Sequence, residues 1–172
     1  MPELPEVETT KASLAPLLDQ QVLSVEVRQS SLRWPIPADL SKLVGQRLIQ
    51  LKRRSKYILA VFEQDTMLWH LGMSGSFRIC EVGETLRKHD HLIIRFEDVE
   101  LRYHDPRRFG CILWLDEYSQ TKLIDTLGPE QLSAEFNAEY LSQKLKNKQV
   151  GIKVAIMDNH VVVGVGNIYA TE

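Results

Sequence analysis

The chain begins with two residues, Pro2 and Glu3, whose chemistry and position suit covalent catalysis. Removal of Met1 would leave Pro2 as a terminal secondary amine, which can attack an electrophilic carbon and form an iminium ion. An α-amino group titrates closer to neutral pH than a lysine does, so more of it is an uncharged nucleophile. Glu3 beside it could act as a general acid or base. The competing interpretation is structural, because Pro-Glu pairs also begin helices.

Two predicted loops combine side chains that could enter a stack of bases. Residues 72–75, Gly-Met-Ser-Gly, form a tight turn that would present Met73 at its tip. Residues 105–110, Asp-Pro-Arg-Arg-Phe-Gly, place two arginines directly before Phe109 on a turn opened by Asp-Pro. An apolar wedge beside arginine is typical of proteins that unstack bases. The structural alternative is that Met73 fills the core and Phe109 is buried beneath an ordinary turn.

Two groups of basic residues could contact phosphate. Residues 52–56, Lys-Arg-Arg-Ser-Lys, hold four cations, and the alternative is a solvated hairpin end. Strand alternation would place Lys56 on the face opposite Tyr57. The second group precedes a Gly-Val-Gly-Asn turn at 164–167, whose N–H groups would bind an anion where a helix begins; the alternative is a solvated helix face and a loop. Its members are Lys144, Lys146, Lys148 and Lys153.

A histidine pair raises the question of a metal site. If residues 89–91 form a strand, His89 and His91 share one face and Asp90 lies on the other. Two ligands do not make a metal site, so we expect His89 to donate a hydrogen bond to phosphate. The structural interpretation of His70 is a satisfied histidine at the end of a strand.

Composition limits the class of protein. The 172 residues include 21 basic and 23 acidic side chains, which excludes a uniformly basic DNA-coating protein but allows a local basic face. Cys80 and Cys111 are too far apart in sequence and too few for a disulfide framework or a four-cysteine zinc site. No apolar run reaches membrane-spanning length, and the start does not resemble a signal peptide. We therefore expect a cytoplasmic protein without a membrane partner.

The elements that must position these residues fall into two parts. A helix is predicted to begin near Pro5 and to end by Pro16. Short runs from residue 21 onward predict many strands, which indicate a β-sandwich or barrel. Residues 55–62 are apolar enough to form a strand buried on both faces. The other predicted strands cover 23–27, 67–71, 92–96, 101–104 and 111–115.

The pattern changes to helices after Leu-Gly-Pro at 127–129. Ser133 is predicted to cap a helix that carries Phe136 and Tyr140, and a second helix holds Ile152 and Ile156. Asn167 is predicted to cap a third helix, and because the chain stops at residue 172 we expect the sequence to end inside that element.

Seven blocks follow one another along the whole chain: MPELPEVET at 1–9, KYIL at 56–59, HLGMSG at 70–75, KHDH at 88–91, DPRRFG at 105–110, LGPE at 127–130 and VVGVGNIYA at 162–170. Together, and in this order, they resemble bacterial formamidopyrimidine-DNA glycosylases, also called 8-oxoguanine DNA glycosylases. Leu4 resembles these enzymes rather than the related endonuclease VIII, which typically has glycine there.

The resemblance implies an α+β protein. An N-terminal β-sandwich with an N-terminal helix, residues 1–128, would carry catalysis. Residues 129–172 would form an incomplete helical domain with part of a helix–two-turn–helix DNA-binding motif. Family members continue with more of that domain and a C-terminal zinc finger that binds one zinc ion. Since these parts are not among the 172 residues, we expect no cofactor here and weak activity or none.

The resemblance also implies base-excision repair by a monomer in the bacterial cytoplasm, associated with the nucleoid. The substrate would be double-stranded DNA containing an oxidised purine, either 8-oxoguanine or a formamidopyrimidine. Pro2 would attack the anomeric carbon, expel the base and form a Schiff base, and β,δ-elimination would then cut the strand. Glu3 resembles the acid that acts on the sugar ring. Lys56 resembles the lysine that contacts the lesion-side phosphate and assists elimination.

Further residues match the family's DNA contacts. Met73, Arg107 and Phe109 match the side chains that fill the space left by the flipped nucleotide, and Arg107 would pair with the orphaned base, preferentially cytosine. His70 and Asn167 match phosphate contacts. The remaining DNA contacts are His89 and Lys148.

Two alternatives stay open. The first is a non-catalytic DNA- or lesion-binding module, which follows if Met1 stays attached, because the Pro2 nitrogen is then an amide. The second is a plain β-sandwich without a DNA function, which leaves the seven blocks unexplained.

Overall fold

The computed structural model describes residues 1–116 and 122–172 and contains two antiparallel four-stranded sheets. The strand order is β1-β6-β7-β5 in the first sheet and β2-β3-β4-β8 in the second, and the predicted β-sandwich is confirmed. The strands are β1 (Val22–Val27), β2 (Leu48–Arg54), β3 (Tyr57–Phe62), β4 (Thr66–His70), β5 (Ser76–Cys80), β6 (Asp90–Phe96), β7 (Glu100–His104) and β8 (Cys111–Trp114).

The core consists of buried aliphatic and aromatic side chains contributed by both sheets. Trp69 of β4 stacks on Phe77 of β5, with ring centroids 4.6 Å apart, so the two sheets meet directly. Phe77 in turn lies 4.9 Å from Tyr103 of β7. Other fully buried members of the cluster are Leu14, Leu17, Leu48, Ile58, Met67, Ile94 and Phe96.

Several predicted strands differ from those observed. The strand expected at 55–62 begins at Tyr57 and is buried on alternate residues, so the expectation of burial on both faces is wrong. Ser55, at φ 55°, turns the chain between β2 and β3, and Lys56 therefore lies in that turn rather than on a strand. Strands β2 and β5 have no counterpart in the prediction. In β1 the pairing is irregular between Val22 and Ser24, and Leu23, expected on the apolar face, is exposed while Val22 is buried.

The N-terminal helix, α1 (Leu4–Ser13), begins where Pro5 predicts. The backbone N–H of Glu3 donates to the Glu6 carboxylate at 2.9 Å, which satisfies one of the donors at the start of the helix. Leu4 and Val7 are buried. The helix ends before Pro16, which lies in a short 3₁₀ turn, Ala15–Leu17, as expected for proline.

The C-terminal part contains two short helices, α2 (Ala138–Leu145) and α3 (Ile152–Ile156). Asn137, not Ser133, caps α2, because its Oδ1 accepts from the Tyr140 N–H at 2.9 Å, and Phe136 therefore lies outside the helix. Ser133 instead donates to the Glu130 carbonyl at 2.7 Å. Residues 167–170 form a single turn. No helix in the described part of the chain has the length and apolar character needed to cross a membrane.

Candidate active site and nucleic-acid interface

The Glu3 side chain reaches across the molecule to the turn at residues 166–169. Its carboxylate accepts from the backbone N–H groups of Ile168 at 2.7 Å, Gly166 at 2.9 Å and Tyr169 at 3.2 Å. A Cβ on residue 166 would overlap the Glu3 carboxyl carbon, so glycine is required there. The turn at 164–167 was predicted to bind an anion through backbone N–H groups, and the anion that these groups bind is the chain's own Glu3 carboxylate. Glu3, rather than Asn167, therefore supplies the capping oxygen.

These contacts determine the charge of Glu3, which is only 2 % exposed. Burial alone raises the pKa of a carboxyl, but the three N–H donors and the charge of Lys56 outweigh burial and hold the pKa of Glu3 below its ordinary value. Glu3 is therefore a carboxylate at neutral pH. That form suits accepting a proton or stabilising positive charge, and proton donation would first require Glu3 to take up a proton.

Lys56 lies beside this cluster and is 6 % exposed. Its Nζ donates to the carbonyl of Val165 at 3.3 Å, one residue before the Gly166 N–H that binds Glu3. Burial lowers the pKa of Lys56, while the nearby charges of Glu3 and Glu6 act in the opposite direction. Glu3 and Lys56, the two residues assigned to catalysis beside Pro2, therefore meet at one short segment of the chain.

Two other cations of the 52–56 group, Arg53 and Arg54, bind carboxylates of the chain itself. Glu130 accepts from Arg53 at 2.7 Å, from Arg54 at 2.9 Å and from the Ser55 N–H at 2.7 Å. Arg53 also pairs with Glu8 at 2.8 Å. The interpretation of a solvated hairpin end therefore does not hold for Arg53 and Arg54, whose ion pairs also compete with any phosphate contact, whereas Lys52 is exposed.

An open cleft of about 570 Å³ brings the N-terminus to both predicted wedge loops. Met73 is 41 % exposed and Phe109 is 46 % exposed, so the alternative of buried side chains is wrong for both. The described residues that line the cleft include three arginines and no carboxylate, which makes the cleft positive. They are Met1, Ser31, Leu32, Arg33, His70, Gly72, Met73, Arg107, Arg108 and Phe109.

The two loops, called here the Met73 loop (72–75) and the Phe109 loop (105–110), pack against each other. Gly72 has φ +63°, and a Cβ there would overlap the backbone of Phe109. The Arg107 N–H donates to Ser74 Oγ at 3.1 Å, and the Arg107 guanidinium lies 4.9 Å from the centre of the Phe109 ring. The structure therefore holds Met73, Arg107 and Phe109 together at one side of the cleft.

His70 lines the same cleft and is a neutral hydrogen-bond donor. Its Nδ1 lies 2.9 Å from the Gly72 N–H and accepts from it, which leaves the proton on Nε2. Burial, together with the charges of Lys56 and Arg33, lowers the pKa of His70 to about 4. This arrangement supports the expected donation to a phosphate oxygen rather than a charged contact.

His89 lies in a neighbouring cleft of about 460 Å³, together with Arg28, Lys88 and Arg108. His89 precedes β6, which begins at Asp90, but its ring centroid lies 6.0 Å from that of His91, so the two histidines lie on the same side, as expected. The buried Asp90 carboxylate binds Arg78 at 2.8 and 3.0 Å and His104 at 3.0 Å.

Lys148 and Asn167 lie outside the main cleft. Lys148 pairs with Asp158 at 3.2 Å and lines a separate apolar cleft with Val150 and Val154. Asp158 lies five residues beyond the acid-free window of 144–153, so inspection of that window missed it. Sequence reasoning also missed Arg33, whose signal was the adjacent Trp34: the guanidinium lies 4.9 Å from that ring.

The residues present do not fit a zinc ion. Within 1–116 and 122–172, no three His, Cys, Asp or Glu side chains are grouped as metal ligands. Cys80 and Cys111 are buried on strands of different sheets.

Comparison with known proteins gives matches along the whole chain. The family described as "Formamidopyrimidine-DNA glycosylase N-terminal domain" matches residues 1–112, and "Formamidopyrimidine-DNA glycosylase H2TH domain" matches residues 127–172. The chain is 78 % identical to the formamidopyrimidine-DNA glycosylase of Acinetobacter baumannii over 172 residues, all of this chain and 63 % of the relative. It is 51 % identical to that of Methylococcus capsulatus, covering 65 % of it. The chain thus spans just under two thirds of the length of these relatives.

Solved structures show the same fold. The wild-type Lactococcus lactis Fpg (MutM) in complex with DNA containing N7-benzyl-Fapy-dG has a TM-score of 0.90 and 31 % identity, over 99 % of this chain and 65 % of that one. A complex of the Lactococcus lactis Fpg with DNA containing an abasic site has a TM-score of 0.88 and 31 % identity, over 98 % of this chain and 64 % of that one.

Proposed function

The chain belongs to the formamidopyrimidine-DNA glycosylase family, and from that membership we propose that it acts in base-excision repair on double-stranded DNA containing oxidised purines, such as 8-oxoguanine and formamidopyrimidines. The observation that carries the proposal is the cleft that joins the N-terminal residue to Met73, Arg107 and Phe109. The related Lactococcus lactis proteins were solved with lesion-containing or abasic DNA, which agrees with this substrate class.

The proposed reaction begins at Pro2. Once Met1 is removed, the lone pair of the Pro2 nitrogen attacks C1′ of the damaged nucleotide. The glycosidic bond breaks, and the base leaves with its electron pair and takes up a proton. The Pro2 nitrogen then loses its proton, and its lone pair forms the C1′=N double bond of the iminium ion as the C1′–O4′ bond breaks and O4′ takes up a proton. Elimination on both sides of the sugar then cuts the strand. With Met1 attached, the same nitrogen is an amide and is not a nucleophile.

Glu3 and Lys56 would support this chemistry from beside Pro2. The sequence assigns Glu3 to acid catalysis on the sugar ring, and its ionised state adds a second contribution, stabilisation of the positive charge that develops at C1′. Lys56 would contact the lesion-side phosphate and assist elimination. For that contact its Nζ would exchange the Val165 carbonyl for a phosphate oxygen.

The exposed wedge explains how the base becomes accessible. Taking a nucleotide out of the stack costs a few kcal/mol, and the side chains that fill the gap must offset this. Met73 and Phe109 would fill the space, and Arg107 would pair with the orphaned base, preferentially cytosine. We propose the remaining predicted contacts as DNA-backbone contacts: His70, His89, Lys148 and Asn167.

The proposal includes the organisation of the chain. Residues 1–128 would form the catalytic domain and residues 129–172 part of the helix–two-turn–helix domain, in a monomeric cytoplasmic protein associated with the nucleoid. The zinc finger and its zinc ion belong to the family's longer members, and the roles proposed for Pro2, Glu3 and Lys56 do not involve zinc.

Borohydride trapping tests the catalytic proposal. Protein freed of Met1, with the intact mass verified, is incubated with a duplex that carries 8-oxoguanine opposite cytosine, and sodium borohydride reduces any iminium to a stable adduct. We expect an adduct on Pro2, none with Pro2→Gly, and similar equilibrium binding by both proteins. Met1-retaining protein is the matched control and should also give none.

A second candidate is a non-catalytic DNA- or lesion-binding module, which follows if Met1, a residue that lines the cleft, stays attached to the Pro2 nitrogen. Met1-free protein that binds the duplex and gives no adduct would overturn the catalytic proposal in favour of this module. An intact mass that includes Met1 would point the same way.

A further inference from the structure

A single buried carboxylate, that of Asp105, receives hydrogen bonds from both wedge loops. Its Oδ1 accepts from Ser74 Oγ at 2.7 Å and from the Arg108 N–H at 3.0 Å. Its Oδ2 accepts from the Tyr103 hydroxyl at 2.8 Å and from the Gly110 N–H at 2.9 Å. Asp105 is fully buried. The Met73 loop, the Phe109 loop and the sheet beneath them therefore share one acceptor.

The four donors explain why the residue at this position is a carboxylate. All four are uncharged, and within residues 1–116 and 122–172 no Lys or Arg forms an ion pair with Asp105. Burying a carboxylate without a cation is unfavourable, so a residue that only opened a turn would be better neutral. An ionised carboxylate is the side chain that accepts four hydrogen bonds and donates none.

The hydrogen bonds also fix the direction of Phe109. They bind the backbone N–H groups of Arg108 and Gly110, the residues on either side of it. Arg108 has φ 58°, a left-handed conformation that non-glycine residues seldom adopt, and the Asp105 carboxylate holds it there. Gly110 packs against the Tyr103 hydroxyl with no room for a Cβ.

Ser74 connects the second loop to the same group. Its hydroxyl donates to Asp105 and accepts from the Arg107 N–H at 3.1 Å. Ser74 therefore connects Arg107 to the carboxylate through two hydrogen bonds. Met73 directly precedes Ser74. Asp105 thus constrains all three wedge residues. Met73 and Phe109 are next in sequence to residues that donate to its carboxylate, and Arg107 donates to Ser74.

We propose that Asp105 is a positioning residue that holds the two loops in their wedge arrangement before DNA binds. A loop that is ordered in advance loses less conformational entropy on binding, so more of the wedge contacts remain to offset unstacking. The wedge role itself rests on the proposed function. The ordering of the loops does not, because it is a property of the free protein.

The test compares Asp105→Asn and Ser74→Ala with Ser76→Ala, which changes an exposed serine two residues away. The Asn amide keeps one acceptor oxygen and places a donor against two other donors. Because Asp105→Asn could prevent folding, Ser74→Ala is the second variant, and it removes only the link between the loops. Neither variant changes Met73, Arg107 or Phe109.

Two properties of each protein are measured, hydrogen exchange and DNA binding. Hydrogen exchange of the free chain reports the order of residues 106–110. Binding is compared between an undamaged duplex and one with a tetrahydrofuran abasic analogue beside 2-aminopurine, whose fluorescence reports unstacking. We expect Ser74→Ala to speed exchange and to lower the preference for the abasic duplex by about 2- to 10-fold, the value of one hydrogen bond. Ser76→Ala should match the original protein, and the salt dependence should stay unchanged.

Unchanged exchange at 106–110 in Ser74→Ala and in folded Asp105→Asn would overturn the proposal. So would equal weakening on both duplexes, which indicates a general structural effect. Failure of the original chain to prefer the abasic duplex would count against the proposed function alone, and the exchange measurement on free protein would still decide the role of Asp105.

Discussion

The β-sandwich and the segment from 127 to 172 are stabilised in different ways. The sandwich has an apolar core in which Trp69, Phe96 and Tyr103 are fully buried. In the segment, none of the described residues 138–145 is buried, and its buried side chains are Ala155 and the three valines at 161–163. Polar contacts attach it to the sandwich, chiefly those of Glu3 with 166–169 and of Glu130 with Arg53, Arg54 and Ser55.

This difference matters because the candidate catalytic residues lie at the junction. Glu3 and Lys56 belong to the sandwich side, and their hydrogen-bond partners belong to the segment. Apolar burial responds weakly to pH and salt, whereas contacts between charged groups respond to both. The geometry at the N-terminus should therefore be lost under conditions in which the sandwich remains folded.

The largest expected effect comes from opening the apolar core. Trp69→Ala should lower the free energy of unfolding by about 3–5 kcal/mol, because it removes a large side chain that lies between the two sheets. Urea unfolding followed by circular dichroism measures this, and both regions should unfold together. The matched control is Trp34→Ala, since Trp34 is 37 % exposed. Similar values for the two variants would contradict the assignment of stability to this core.

An intermediate effect is expected from the junction. Glu130→Gln should cost about 1–3 kcal/mol, because it leaves Arg53 and Arg54 without their shared carboxylate. Hydrogen exchange should rise at 127–172 and stay unchanged in the sandwich. Glu8→Gln is the control, since the half-exposed Glu8 also pairs with Arg53, and both of its ion-pair partners, Arg53 and Lys11, lie outside the segment. An equal rise in exchange in both regions would contradict the separate stabilisation of the sandwich and of residues 127–172.

The same contact predicts the direction of the pH dependence. Burial raises the pKa of Glu130, but the Ser55 N–H and the two arginines outweigh burial and hold it below its ordinary value of 4.5. A carboxyl whose pKa is lowered by folding stabilises the fold fully above its unfolded pKa and loses that contribution as the pH falls through the folded value. Acid should therefore weaken the attachment of the segment in the original protein. The step should be smaller in Glu130→Gln, where Glu3, whose pKa is also lowered, still contributes.

The sequence predicted the two regions unequally well. Alternating and apolar runs identified most strands, because burial on one face of a sheet leaves a local pattern. The sequence pattern did not reveal β2, whose second half is Lys-Arg-Arg, or the short strand β5. The pattern did place His89 and His91 on one side, and their ring centroids are 6.0 Å apart, although His89 precedes β6.

The site was predicted by residue type but not by partner. The turn at 164–167 was identified as an anion site, yet its anion is Glu3, more than 160 residues earlier. The cations at 53 and 54 looked free because no acid lies near them in sequence, whereas Glu130 lies about 75 residues away. Spacing reveals neighbours on one element, and contacts between distant elements depend on the complete fold.

The smallest expected effect tests a residue that belongs to neither the core nor the junction. Lys148 pairs with Asp158 on the surface, with about a third of each side chain exposed, and such pairs contribute little to stability. Lys148→Ala should leave unfolding and exchange unchanged. It should weaken DNA binding with little sequence preference and make the slope of log K against log salt shallower by about 1.

Asp158→Asn provides the matched variant for Lys148, because it removes the pairing carboxylate and keeps the lysine. If Lys148 contacts phosphate, freeing it from Asp158 should strengthen binding or leave it unchanged, in contrast to the loss in Lys148→Ala. A steep salt slope retained in Lys148→Ala would contradict the phosphate contact. Loss of stability in either variant would instead show that the Lys148–Asp158 pair helps to hold the segment in place, and Lys148 would then be a structural charge rather than a DNA contact.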